Sequence, residues 1–394
     1  MRQKIAMLLN GPVFNDYRVI KMIQTLSKDA DIDLYYMDGN PEKDNQLFEK
    51  NVQFFSYQTT NSFSVKLLKH SFFCYEFNFF IKKVLNKKIA YDFVWCNDLP
   101  TLNAGFRISK KIQSKLVYDS HEIYVETINQ FFPKNSHFVK HFVIEFIIKV
   151  MKFHGTRVER KLISQIDKFI TVNESLLNYF KQKYSLVEGI VIMNVPRKSD
   201  SIVKNNPVHY TELYKWDKAD KILLYQGFMN EGRGLDLLID TVSILPSQFK
   251  LVLIGNGPLK NSLLNKVNLL NLSDRIKFID TKPIKELPSY TAGATIGINL
   301  LESYNLSKQL ASPNKLFEYI HAGIPIIASD TVENNIVLNN FKVGKLTSNS
   351  IEKIKQVILS LTDDELRSFK SNMLEASNYY NWENQESKIL SVLK

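Results

Sequence analysis

The segment Ser312-Pro313-Asn314-Lys315-Leu316-Phe317-Glu318-Tyr319-Ile320-His321-Ala322-Gly323-Ile324-Pro325 reads as a short helix whose start suits an anion. Ser312 is expected as the N-cap and Pro313 as the first helical residue, where a missing N–H costs nothing. Gly323 and then Pro325 mark the stop. The unsatisfied amides at such a start, together with the positive end of the helix dipole, attract phosphate. Asn314 and Glu318 stand four apart, and Lys315 and Glu318 three apart. An amide, a cation and a carboxylate therefore share one face while Leu316 and Ile320 bury on another. That set suits the phosphates and the ribose of a nucleotide. The plain alternative is an ordinary capped helix with exposed charges.

Other chemistry-bearing residues stand where short apolar runs end. Gly11 lies where the first such run turns toward a helix and where a ligand can approach the backbone closely. Asp16 and Arg18 follow, each either a ligand contact or, more plainly, a helix cap and a surface arginine. Asp119-Ser120-His121-Glu122 comes directly after the run Lys115–Tyr118, which places His121 better for chemistry than a lone core histidine. Ile254-Gly255-Asn256-Gly257-Pro258 looks like the start of a dinucleotide fingerprint, but position 260 is Lys, so the third glycine is absent.

Followed by Ile326-Ile327-Ala328-Ser329-Asp330, the Ser312 segment resembles the signature of family-4 glycosyltransferases, retaining enzymes of the GT-B fold. The other motifs follow in that family's order along nearly the whole chain. The resemblance implies that Glu318 binds the donor ribose and that backbone amides around Ser312, Pro313 and Asn314 hold the diphosphate. Gly227 and, six residues on, Arg233-Gly234 look like the family's glycine and basic residue, so Arg233 would clamp the diphosphate with Lys315. Gly257 would lie against the nucleotide. The loop at Gly11 would face the donor sugar and the acceptor, with Asp16 and Arg18 near either one. His121 would contact the donor sugar, and Glu122 is a candidate acceptor contact. Two positions depart from the pattern. Leu310 stands where the family often has a second glutamate, and Glu302 has the wrong spacing to replace it. Phe228 stands where a second basic residue often follows the glycine. Retaining enzymes of this fold are expected to react on the face from which the diphosphate leaves. The leaving phosphate would take the acceptor's proton, and the protein would position the reactants and stabilise charge. No cofactor is implied and no metal is expected. Asp29, Asp31 and Asp33 have Asp-x-Asp spacing but sit at the wrong strand end for a cleft ligand, and the histidines show no paired ligand spacing.

These residues need strand ends to hold them, and the chain supplies two series. Apolar runs at Ile5–Leu9, Ile32–Met37, Phe93–Cys96, Leu116–Tyr118, Phe169–Val172 and Ile190–Met193 read as buried strands, with helical patterns at Val19–Ser27, Thr101–Ile112 and Ser175–Lys183. A second series runs through Ile222–Tyr225, Leu251–Ile254, Ile276–Ile279, Thr295–Asn299 and Ile324–Ala328. The alternation predicts α/β architecture: two doubly wound, Rossmann-like domains with parallel sheets covered on both faces and a cleft between them. Residues 1–196 are expected as the acceptor-side domain, 197–220 as a linker in which Tyr210–Trp216 packs, and 221–378 as the nucleotide-sugar domain. Residues 379–394 are expected as a closing helix that crosses back to the first domain.

A chain of 394 residues that is 44% hydrophobic has ample material for two cores. Its two cysteines offer neither a disulfide framework nor metal-ligand spacing, which fits a reducing compartment. No signal peptide and no run of about 18 apolar residues is visible. Residues 51–200 hold 22 Lys/Arg and 12 Asp/Glu, so 10 of the 11 excess positive charges lie there. Two stretches interleave aromatics with cations: Phe63–Tyr91, including Lys66, Lys69, Phe72, Phe73, Phe77, Lys82, Lys83, Lys87 and Lys88, and Phe131–Phe153, including Phe142–Ile148 between Lys140 and Lys149. They suit either an anionic membrane surface or two core-packed helices with solvated lysines. Nucleic acid is not expected as a partner, since no zinc-finger spacing, RNP-like strand or basic zipper is present. The function expected is transfer of a sugar from a nucleotide-diphosphate sugar, with UDP favoured, to a hydroxyl acceptor. That acceptor is expected to be a lipid-linked glycan of a capsule, O-antigen or exopolysaccharide pathway, and the enzyme to be cytoplasmic and peripheral on the inner membrane face. A nucleotide-sugar epimerase of the same fold and a non-catalytic binding subunit are the alternatives.

Overall fold

The computed structural model describes residues 2–59, 72, 78–132, 138–186, 188–201, 206–302 and 305–394. The chain divides into two compact units, Met1–Met193 with Gln385–Lys394, and Asn194–Asn384. The first unit holds seven strands: β1 (Gln3–Leu9), β2 (Ala30–Met37), β3 (Val52–Tyr57), β4 (Phe93–Asn97), β5 (Lys115–Ser120), β6 (Lys168–Thr171) and β7 (Ile190–Val191). Their order is β3-β2-β1-β4-β5-β6-β7 and every pairing is parallel. The second unit holds β8 (Lys221–Gln226), β9 (Phe249–Ile254), β10 (Ile276–Ile279), β11 (Ile296–Asn299), β12 (Ile326–Ser329) and β13 (Gly344–Thr347). These are also all parallel, in the order β10-β9-β8-β11-β12-β13.

The reason for this architecture is visible in the central strands. Ile5-Ala6-Met7-Leu8 of β1 and Phe93-Val94-Trp95-Cys96 of β4 are buried on both faces, as a parallel sheet between helices requires. In the second unit Leu223, Leu251, Leu253, Ile298 and Ile327 pack beneath Leu235, Leu238, Ile239 and Val242 of the helix Leu235–Ile244. In both sheets the strand order reverses beside the first strand of the series, between β1 and β4 and between β8 and β11. Ligands in such sheets bind outside the carboxyl ends at that point. The loops after β1, β4 and β5 in one unit, and after β8, β9 and β11 in the other, stand at those carboxyl ends.

The stretch expected as a linker is largely built into the second unit. Val208 donates its N–H to the Ser289 carbonyl, Tyr210 is fully buried, and the Trp216 indole donates to the Asp274 carbonyl at 2.7 Å. At the other end Trp382 is buried and donates to the Pro196 carbonyl, while the residues after it belong to the first unit. There Gln385 accepts from the Met193 N–H, Glu386 pairs with Lys28 at 2.6 Å, and the Leu393 carbonyl accepts from Gln3.

The basic stretches fold unevenly. Residues 60–71, 73–77 and 133–137 lie outside the described residues, and with them Lys66, Lys69, Phe73 and Phe77. In the helix Asn78–Asn86, Phe80 and Val84 are buried. Just beyond it, Lys87 pairs with Asp33 at 2.8 Å and sits 3.7 Å from the Phe55 ring centre, so it belongs to the fold and not to a free cationic face. The helix Phe138–Ile163 differs. Ile148 and Met151 turn inward, whereas Phe142, Phe146 and Phe153 are 68, 63 and 67% exposed, and Val150 is also exposed. Their spacing of four, four and three residues makes one outward stripe. No helix among the described residues is long and apolar enough to cross a membrane.

Candidate active site

In the second unit the site is built around the helix Asn314–Ala322. Its capping differs from the sequence expectation. Pro313 is the N-cap residue, no side chain caps the helix, and the Ser312 hydroxyl instead donates to Glu333 at 2.9 Å. With Ser312 turned aside, the amides at the helix start face no competing side-chain acceptor, which is the arrangement that receives an anion. Gly323 ends the helix in the left-handed conformation, as expected.

Lys315 is the most unusual group of this unit. Its side chain is buried, the residue being 6% exposed, and its ammonium makes no hydrogen bond. The Nζ lies 3.6 Å from the centre of the Tyr225 ring, and a Cβ added at Gly227 would stand 3.7 Å from it. Burial lowers its pKa well below the ordinary lysine value. Repulsion from Arg233 and Lys308 adds to this, and only Glu318 opposes it. An isolated buried ion costs several kcal/mol, and a cation–π contact returns about 2. The balance is unfavourable until an anion arrives.

The neighbouring loops hold this cation in place. Gly227 has φ +126°, open only to glycine, and begins the loop that carries Arg233. The Tyr225 hydroxyl donates to the Phe228 carbonyl, and the Met229 N–H donates to the Asn256 carbonyl. A Cβ at Gly257 would fall 2.4 Å from the Met229 carbonyl oxygen, so Gly257 is required for close approach of two loops. Arg233 is half-buried and steadied by Asn230, whose amide oxygen accepts from its Nε at 3.3 Å. Glu318 accepts from the Gln226 side-chain Nε2–H at 2.5 Å, and the Gln226 side-chain Oε1 accepts from the Thr291 hydroxyl at 2.8 Å. Asn314 is exposed and accepts from Asn194 at 2.9 Å. The structure thus gathers Gly227, Lys315 and Glu318, with Arg233 near enough to repel Lys315. Gln226 and Lys308 are additions that sequence reading missed. Gln226 could have been noticed as the polar residue ending an apolar strand.

In the first unit the loops after β1, β4 and β5 carry a second cluster. His121 lies between two carboxylates: Nδ1 is 3.2 Å from Asp98 and Nε2 3.5 Å from Asp119, with no hydrogen bond at Nε2. Its backbone N–H donates to Asp98 at 2.9 Å. Burial would lower its pKa, but the charges of Asp98 and Asp119 outweigh burial and raise it well above the ordinary histidine value. The two carboxylates thus favour the imidazolium form, which is a poor proton acceptor. Arg18, expected near a ligand, is 2% exposed. It donates to Asp119 at 2.9 Å and to the Ile192 carbonyl at 2.6 Å. It fixes Asp119 from behind, and with His121 holds that carboxyl well below the usual range despite burial. Asp16 caps the helix Tyr17–Leu26 by accepting from the Val19 N–H. Gly11 has φ +153° and open space around it, and Glu122 is half-buried beside His121 in sequence.

Asp98 is a further residue that sequence reading overlooked. It precedes Leu99-Pro100 at the start of the helix Leu99–Ile112, a place where aspartate normally caps, yet it makes no cap bond. Its φ of 60° and ψ of 164° lie in a region that is essentially glycine's. The carboxylate is turned to His121 at the expense of backbone strain. Asp98→Gly is expected to be more stable than Asp98→Ala by about 1–3 kcal/mol, because both lose the carboxylate but only glycine relieves the strain. Urea unfolding of the two variants measures the difference.

Among the described residues no three His, Cys, Asp or Glu side chains gather as a metal site requires. Asp33, one of the Asp-x-Asp residues, pairs with Lys87 and with the Tyr91 hydroxyl.

The chain has the GT-B fold. It is similar to the Anabaena protein HepE, solved in complex with UDP-glucose, at 15% identity and a TM-score of 0.72, covering 100% of this chain and 99% of that one. Sucrose-phosphate synthase from Thermosynechococcus elongatus is similar at 15% identity and a TM-score of 0.74, covering 100% and 98%. WaaG, a glycosyltransferase involved in lipopolysaccharide biosynthesis, is similar at 15% identity and a TM-score of 0.69, covering 99% of each chain. Residues 220–364, within the second unit, match the family model described as glycosyl transferases group 1. No curated protein matches the chain.

Proposed function

We propose that this protein is a retaining family-4 glycosyltransferase. It would move a sugar from a nucleotide-diphosphate donor to a hydroxyl of a lipid-linked glycan in surface polysaccharide assembly. The carrying observation is the buried, unbonded ammonium of Lys315 at the uncapped start of the helix Asn314–Ala322, with Arg233 close by. A diphosphate would relieve the repulsion between these cations, and both would stabilise charge as it develops on the leaving group. Glu318, held by Gln226, would accept the ribose hydroxyls. His121, with Nε2–H unbonded, would donate to the donor sugar. The leaving phosphate takes the acceptor's proton, so the reaction needs no protein base. An epimerase would need one, and an imidazolium between two carboxylates is ill suited to that role.

A UDP donor is favoured because the similar HepE was solved with UDP-glucose. A cytoplasmic enzyme on the inner membrane face fits the outward aromatic stripe Phe142, Phe146, Val150 and Phe153. The test is to incubate the protein with UDP-, GDP- and ADP-sugars and follow melting point, nucleoside diphosphate release and product anomeric configuration. Acceptor-dependent release with retained configuration supports the reading. A changed sugar without release, or binding without turnover, overturns it. Glu318→Gln is expected to weaken donor binding by about 10- to 100-fold, the loss of a charged hydrogen-bond acceptor. Unchanged affinity would remove Glu318 from the site.

A further inference from the structure

We propose that the first unit carries a discrete site for one anionic phospholipid, in a groove between the helices Leu99–Ile112 and Phe138–Ile163. The groove has a volume of about 380 Å³. Phe106, Val158 and Leu162 form its apolar wall, and Arg107, Arg157 and Lys161 stand around it. Among the described residues none of these three cations forms an ion pair. Among the described residues no acidic one lines the groove. His154 also lines it, but burial and the charge of Arg157 lower its pKa, so it adds no fixed charge.

A cavity of this size falls at the lower end of the roughly 300–1,000 Å³ typical of ligand sites. Apolar walls beneath three unpaired cations match an amphiphile with a phosphate head: guanidinium groups take phosphate oxygens in a fork, and the ring and aliphatic wall take methylenes. Free inorganic phosphate would leave the wall unused. The groove also continues the outward stripe of its own helix. Arg157 lies one turn beyond exposed Phe153 and 5.9 Å from its ring centre. A helix whose Phe142, Phe146, Val150 and Phe153 rest in a bilayer surface would bring a lipid head to Arg157. This inference rests on the membrane part of the reading above and is independent of the transfer chemistry.

The experiment uses the full chain, vesicles of neutral lipid with and without phosphatidylglycerol, and two soluble probes: dihexanoyl phosphatidylglycerol below its micelle concentration, and inorganic phosphate. Wild type is expected to bind anionic vesicles and to bind the short-chain lipid saturably, with inorganic phosphate much weaker. The triple variant Arg107→Ala, Arg157→Ala, Lys161→Ala is expected to lose about a hundredfold in vesicle affinity, at about fivefold per cation. Its melting point and nucleotide-sugar affinity should be kept. Val158→Trp, which fills the groove and keeps every charge, is expected to abolish short-chain lipid binding. Removing the same charge from the second unit, as Lys342→Gln, Lys353→Gln, Lys370→Gln, is expected to cost less than about threefold if those lysines stay beyond screening distance of the surface. Equal losses in the two triple variants would overturn the site and leave only general attraction. Phosphate binding as tight as the short-chain lipid would overturn the lipid as occupant. No binding of wild type to anionic vesicles would overturn the site and the membrane reading together, while donor turnover continues to test the transferase separately.

Discussion

Lys315→Met is expected to raise the unfolding midpoint of the ligand-free protein while lowering donor turnover by at least about a hundredfold. The two effects share one cause. The ammonium is buried without a hydrogen bond, beside Arg233 and Lys308, so in the empty site it is a burden on stability. A methionine of similar length fills the space over the Tyr225 ring without charge. In the proposed reaction the diphosphate would then meet one cation fewer as it leaves, and removing a single preorganised charge-stabilising donor typically slows catalysis by about 10²- to 10³-fold. The pH dependence follows with a definite sign. Burial lowers the folded-state pKa of Lys315 below its ordinary value of 10.5. Between the lowered value and 10.5 the unfolded chain holds more protons than the folded one, so stability rises with pH through that window. The Met variant lacks this slope. Urea titrations of both proteins at several alkaline pH values check it. A destabilised, fully active variant would show that Lys315 is a structural residue.

His121→Asn is expected to destabilise the first unit by about 3–5 kcal/mol and to cut turnover strongly. Without the imidazolium, Asp98 and Asp119 lose the charge between them, and only Arg18 remains against Asp119. Because the folded pKa of His121 is raised, its stabilising contribution is complete below about 6.5 and fades as pH climbs through the raised value. The stability gap between wild type and variant should therefore be widest in mild acid and close only on the alkaline side. For the same reason the activity profile of the wild type should show no histidine inflection near 6.5. NMR titration of the ring decides the matter: an ordinary pKa would mean that neither carboxylate is coupled to it.

Central strands such as β1 and β4 were readable because a parallel sheet buries both faces, which leaves uninterrupted apolar runs. The expectation omitted β3 and β13, both at sheet edges. There Gln53 and Ser56, or Gly344 and Lys345, break the run where one side needs no partner strand. Lys315 and Glu318 could be named from helix spacing alone, since three- and four-residue intervals fix a face before any fold is known. Ser312 could not be assigned a cap, because its choice of Glu333 over the helix amides depends on a helix that follows later in the chain. Arg18 reads as a surface residue until β5 and β7 are laid beside its helix and enclose it. Asp98 escaped notice for a different reason: a local rule predicts a helix cap there, and the fold overrides that rule with strain. The groove at Arg107 and Arg157 is invisible in sequence, since its halves lie some fifty residues apart and only the packing of two helices creates it.

The polypeptide passes between its two units twice, once after Met193 and again after Asn384. Severing either passage would leave the halves tethered by the other, so a single proteolytic nick should not release a fragment. Nor can the amino-terminal unit be prepared by stopping translation at its boundary. Residues 1–193 made alone would lack the final ten residues that bury Ile389 and Val392, and should recover native behaviour only when that decapeptide is supplied in trans or fused by circular permutation.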